Sequence, residues 1–259
     1  MLSEAPILCA SLFSLSTLAY DLATRFKLAL DQSAANATRL QPPSHDDIDM
    51  QKGMIVFSSA MKVHPRVTPE RLEELAVFAF NEMKDAATQL GLNDDDRPGV
   101  VTILHTDNTL YVSSSARGAS PPASWQEYLS EDSRTEISTT LEELDNAAEG
   151  ARHDRRANCG EILALHQWHL DNPKSNFREL SMNGGILVTM WEKNTKKGKV
   201  IVKKPYVADD PQYGCLIVLK ALDLMYVEKE RKERKGVQLL HSFPDVTLSD
   251  HRQIPLFPE

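Results

Sequence analysis

Apolar residues recur at helical spacing through Leu72, Leu75, Ala76, Ala79, Met83, Ala86, Ala87 and Leu90, which predicts one long helix. Thr68-Pro69 supplies its start, with threonine as cap and proline at the first helical position, and Gly91 stops it. After an acidic turn from Asn93 to Gly99, Val100 to Leu104 and Leu110 to Ser114 are short β-forming runs joined by His105-Thr-Asp-Asn-Thr, the pattern of a hairpin. Glu161 to Leu170 predicts a second helix, closed by Asn172-Pro173. Ile186 to Trp191 is a strongly apolar strand, and Val200 to Val202 is another, reached through a lysine-rich turn. Cys215 to Leu222 predicts an apolar helix, with a short strand following at Leu224 to Val227.

Helices alternating with strands imply an α/β fold, a layered α/β/α sandwich with helices covering the sheet. Upstream, Ala5 to Leu30 predicts an amphipathic helix packed on the main body, and QPPSHDDID (Gln41 to Asp49) reads as a linker. Met54 to Met61 is an apolar run whose type the pattern does not assign, and Trp125 to Gly150 is polar, acidic and helical in part. The expected organisation is an N-terminal helical extension and linker over 1–64, an α/β domain over 65–240, and a C-terminal tail over 241–259.

With 259 residues, 41% of them hydrophobic, the chain is long enough for a core of normal size without staples. Three cysteines (Cys9, Cys159, Cys215) are too few, and odd in number, for a disulfide framework. That usage points to a reducing, cytoplasmic or nuclear compartment and leaves the thiols for metal binding or simple burial. Secretion stays open: Asn36-Ala37-Thr38 is a glycosylation sequon if the chain is exported. The stretch before Tyr20 is apolar, but Glu4 gives its start the wrong charge for a signal peptide. No segment reaches the roughly 18–20 apolar residues of a membrane span. A formal charge of −8 argues against a protein that coats nucleic acid. The lysines from Lys193 to Lys204 and from Lys229 to Lys235 read as a solvated hairpin and a solvated helix.

Candidate chemistry lies at two helix starts. Cys159-Gly160-Glu161 opens one helix, where the positive end of the dipole favours a thiolate and a carboxylate stands two residues on. Pro211-Gln212-Tyr213-Gly214-Cys215 opens another, so two cysteines can converge on one metal if the helices lie side by side. His166 and His169 have a metal-like spacing but lie well past Cys159, and read as satisfied or exposed histidines.

In order and motif the chain resembles the cytidine-deaminase-like zinc enzymes, in which a His or Cys, one residue and a Glu precede Pro-Cys-x-x-Cys on the next helix. Cys159-Gly-Glu161 is similar to the first motif in the cysteine form of toxin-type deaminases and their fungal relatives. Pro211-Gln-Tyr-Gly-Cys215 is similar to the second, with Gln212 where the first cysteine should be. Val100 to Gly118 resembles the family's opening hairpin, and Cys215 to Val227 its last helix and strand.

The resemblance implies a zinc-dependent hydrolytic deaminase acting on a nucleobase, in a nucleotide or a single-stranded nucleic acid. Cys159 and Cys215 would be zinc ligands and Glu161 the catalytic proton shuttle. The third ligand is open between Asp210 (or Asp209), Gln212 and His153; a glutamine amide is a weak zinc ligand. Trp125, Tyr206 and Tyr213 are candidates for stacking on a base. The alternative is a catalytically inactive protein of the same fold, a binding or assembly module in which the loss at Gln212 matters little. Either leaves a homo-oligomer open.

Overall fold

The computed structural model describes residues 25–37, 54–117, 139, 142–144, 146, 158–195, 198–203, 215–227 and 245–256. In chain order the elements are β1 (Ala29–Leu30), α1 (Gln32–Ala37), β2 (Phe57–His64), α2 (Pro69–Gln89), β3 (Val100–Thr106), β4 (Thr109–Ser114), α3 (Gly160–Asp171), α4 (Arg178–Met182), β5 (Ile186–Thr195), β6 (Gly198–Lys203), α5 (Cys215–Ala221), β7 (Met225–Tyr226) and β8 (Thr247–Arg252). The class is α/β, as the pattern predicts.

The strands form one eight-stranded sheet in the order β1-β2-β4-β3-β5-β6. β8 runs beside β2 on the edge that β1 also uses, and β7 beside the first residues of β5, on the edge that β6 uses further along. Only the β5–β7 pair is parallel. Alternation sends the side chains of each strand to opposite faces. Val101, Ile103, Leu110, Val112, Ile186, Val188 and Met190 join one apolar cluster, completed by Leu72, Leu75, Ala76, Ala79, Phe80 and Met83 of α2. Leu104, Tyr111 and Leu187 join the other, under Ile162, Leu163 and Leu165 of α3 and Cys215, Val218 and Leu219 of α5. Helices therefore cover both faces of the sheet.

The long helix begins as expected. Thr68 accepts the Arg71 N–H at 3.3 Å, Pro69 stands in the first turn, and Gly91 leaves the helix at φ 72. The hairpin turns through Asp107, at φ 52, and Asn108, with Thr106 opposite Thr109.

The expected boundaries need correction at both ends. The run from Met54 becomes β2, which pairs with β1, β4 and β8, so residue 65 divides nothing. The tail expected from 241 contributes β8, in register with Lys62, Val63 and His64. The helix expected to reach Leu30 is absent over residues 25–30: Lys27 sits at φ 50, and Ala29–Leu30 is strand. Glu82 of α2 sets that path, its carboxylate accepting the N–H groups of Phe26 and Leu28, each at 2.9 Å. The remainder of that expected helix, the linker and nearly all of Trp125 to Gly150 lie outside the described residues.

Candidate metal centre

Glycine, cysteine and small hydroxyl residues decide how α3 meets the sheet. Ser113, Thr102 and Thr189 stand opposite one another on β4, β3 and β5, forming a row of buried hydroxyl residues across three strands. Thr102 Oγ1 and Thr189 Oγ1 share a hydrogen bond at 3.0 Å. The next row on the same face is bulky: Tyr111, Leu104 and Leu187. The start of α3 lies over the small row, and the chain entering it is tied to the sheet by Ala116 N–H donating to the Asn158 carbonyl at 3.0 Å.

Cys159 is the N-cap of α3, in extended conformation, yet its side chain caps nothing. Its thiol is used elsewhere. Cys159, Glu161 and Cys215 each offer one ligand atom, and the three atoms lie within 4.8 Å of one another. All three side chains are buried, Cys159 8%, Glu161 1% and Cys215 0% exposed. Neither cysteine is in a disulfide. The Cys215 thiol is pushed well up, first by burial, then by its hydrogen bond to Cys159 and by the Glu161 carboxylate beside it. In the absence of a cation this thiol keeps its proton at neutral pH.

Two thiols and a carboxylate make a donor set for a metal ion, and this cluster could hold one. Three negative groups packed this closely out of water are tolerable only if protons or a cation neutralise them. A metal bound here would reverse the Cys215 shift and release its proton.

The cluster therefore unites all three principal residues read from the motifs. His153, Asp209, Asp210 and Gln212, the candidates for a further ligand, lie outside the described residues, as do Trp125, Tyr206 and Tyr213. His166 and His169 do not belong to the cluster. His166 is fully buried and donates its Nε2–H to the Leu256 carbonyl at 2.8 Å, and burial holds its pKa down at about 4. His169 stacks on Phe177, with ring centroids 5.4 Å apart. Trp168 packs against the same phenylalanine at 5.5 Å, a core role.

The hydroxyl row escaped the sequence reading, because only the strand register brings Ser113, Thr102 and Thr189 together. So did the far end of α3, where the Tyr111 hydroxyl donates to Asp171 at 2.6 Å and Arg252 pairs with the same carboxylate. Burial and that carboxylate raise the Tyr111 pKa, so the phenol stays protonated. Of the lysine-rich stretch, residues 193–195 and 198–203 lie on the paired strands β5 and β6, and 196–197 lie outside the described residues. No helix among the described residues is long and apolar enough to cross a membrane.

Compared with family models, curated proteins and solved structures, the chain matches none.

Proposed function

We propose that the protein is a zinc-dependent hydrolytic deaminase acting on a nucleobase, in a nucleotide or a single-stranded nucleic acid. The observation that carries this reading is the meeting of Cys159, Glu161 and Cys215, from two helix starts, within 4.8 Å. The element order supports it: a hairpin, the helix bearing Cys-x-Glu, strand β5, the helix opened by the second cysteine, and a strand beside β5, with the short helix α4 and strand β6 added between the two cysteine-bearing helices. That succession is the one the sequence resemblance implies.

Zinc suits the two cysteines, since thiolates are among its usual ligands, and the Glu161 carboxylate beside them is kept for proton transfer. When bound it supplies a water acidic enough to act as hydroxide near neutrality. Cys159 and Cys215 would hold the ion, and both side chains are buried. Glu161 takes the proton from the attacking water at a carboxylate oxygen. It would pass that proton to the ring nitrogen, then take the remaining proton from the hydroxyl added to the ring carbon and pass it to the departing amine, which leaves as ammonia. Cytosine, adenine and guanine all carry an exocyclic amine on which this sequence could act.

The test is release of ammonia from cytosine-, adenine- and guanine-containing nucleosides, nucleotides and single-stranded oligonucleotides by the zinc-loaded protein. Glu161→Gln is expected to abolish release, a drop of about 10²-fold or more, while leaving zinc content and melting temperature near wild type. Release that survives Glu161→Gln removes this residue from the mechanism.

Gln212, in the place of a cysteine, favours a second reading: a non-catalytic module that keeps the fold for binding or assembly. It predicts no ammonia release from any of these substrates and no zinc in the folded chain.

A further inference from the structure

Gly160 stands between the two residues of the Cys-x-Glu motif, and its backbone gives no reason for glycine. Its φ is not among the positive values, which belong to Gly91 and Gly184. It is the first residue of a regular helix, where other residues would serve as well or better. The reason lies in what surrounds it. A Cβ added at Gly160 would stand 2.8 Å from Thr102 Oγ1, 3.1 Å from the Ser113 carbonyl oxygen and 3.4 Å from Thr102 Cβ.

None of these neighbours yields easily. Thr102 is β-branched and stiff at its first torsion. Its hydroxyl is committed to Thr189 at 3.0 Å, and its residue lies in the middle of the sheet. The Ser113 carbonyl belongs to the β3–β4 ladder. A methyl group at position 160 therefore lifts the start of α3 rather than moving the sheet.

We infer that Gly160 is a positioning residue: its bare Cα lets the start of α3 seat on the Ser113–Thr102–Thr189 row, and that seat brings Cys159 and Glu161 to Cys215. The inference rests on reading the three residues as a metal pocket. Opening the 2.8 Å approach to an ordinary contact moves the helix start by about half an ångström, the tolerance within which a site must be held. Cys159 and Glu161 flank the moved residue on either side, whereas Cys215 rides on α5 and stays behind. The seat thus sets the spacing of the donors without touching the metal.

The experiment is a steric rescue read by zinc affinity. Zinc is titrated against a chromophoric chelator into the full chain and three variants, Gly160→Ala, Thr102→Ala, and the two combined. Gly160→Ala is expected to weaken zinc about 10–100-fold, the usual effect of a change just outside the ligands. Thr102→Ala removes the nearest atom, Oγ1 at 2.8 Å, and leaves Cβ at 3.4 Å, an ordinary contact; alone it stays within a few-fold of wild type, and in the double variant it restores much of the affinity. Melting temperature is followed in each, since lost folding would lower affinity without regard to Thr102. The metal-free chains are also treated with a trivalent organoarsenical, which bridges two sulfurs only when they are close; peptide mass maps the Cys159–Cys215 adduct. The same order of bridging is expected: wild type high, Gly160→Ala low, double variant recovered. Equal affinity and bridging in Gly160→Ala, or a double variant no better than the single one, overturns the inference. A wild-type chain that takes no zinc overturns the metal reading instead, and the arsenical still decides the role of Gly160.

Discussion

Burial governs the chemistry of the Cys215 thiol. Apolar packing, the Cys159 thiol and the Glu161 carboxylate all hold its proton on, so a cation must displace that proton to bind. Zinc uptake by the proposed site would therefore release protons, and affinity would rise with pH. The expected outcome is tighter binding at about pH 8 than at about pH 6, with calorimetry in buffers of different ionisation enthalpy reading the released proton. A pH-independent affinity would show that the sulfur is not a ligand. At this scale the meeting of the motif residues was legible: two cysteines at helix starts were read as able to converge, and with Glu161 they form one buried group. Gly160 looked like a spacer and Thr102 like an ordinary strand residue. Their roles come from the register of β3 against β4 and β5, which pairs residues far apart in the chain.

Among the elements, those with local signals were readable. The long helix has a capping threonine, a first-turn proline, seven buried apolar positions and a glycine stop within one stretch. The strands at the β2 edge lacked such signals. β1 has two residues, β8 shows its buried positions sparsely, and β2 is assembled from partners on both sides of the chain. Asp31 joins these pieces: one carboxylate oxygen accepts the Ser33 and Ala34 N–H groups at 3.0 and 3.2 Å, the other accepts the Ser58 hydroxyl at 3.0 Å and the Leu256 N–H at 3.2 Å. Glu82 does the same for Phe26 and Leu28 from the other face. Replacing Glu82 by Ala strands two N–H groups, and the expected cost is about 1–3 kcal/mol in a denaturant titration. Faster tryptic cleavage at Arg25 and Lys27 should accompany it; unchanged stability and cleavage would mean the segment is held by other contacts.

Over the whole molecule, two fully buried histidines make the fold sensitive to acid. His166 sits in one apolar layer, His105 in the other, and both pKa values are lowered from 6.5 to about 4. Burial is the main cause in each, with the Arg66 charge adding to it at His105. The unfolded chain takes up these protons near pH 6.5 while the folded chain resists until about pH 4, so the unfolded state binds more protons in that window. Stability is full above it and is lost as pH falls through it, at about 1.4 kcal/mol per pH unit for each histidine. Denaturant titrations across the window should show the loss, and His166→Gln should reduce it. A flat profile would show that these histidines charge without unfolding the chain.

The zinc content of the folded protein, prepared without a metal-binding tag, tests the central claim most directly. About one zinc per chain is expected, lost in Cys159→Ala and in Cys215→Ala while both variants stay folded. A well-folded wild-type chain that takes up no zinc when supplied with it would contradict the account.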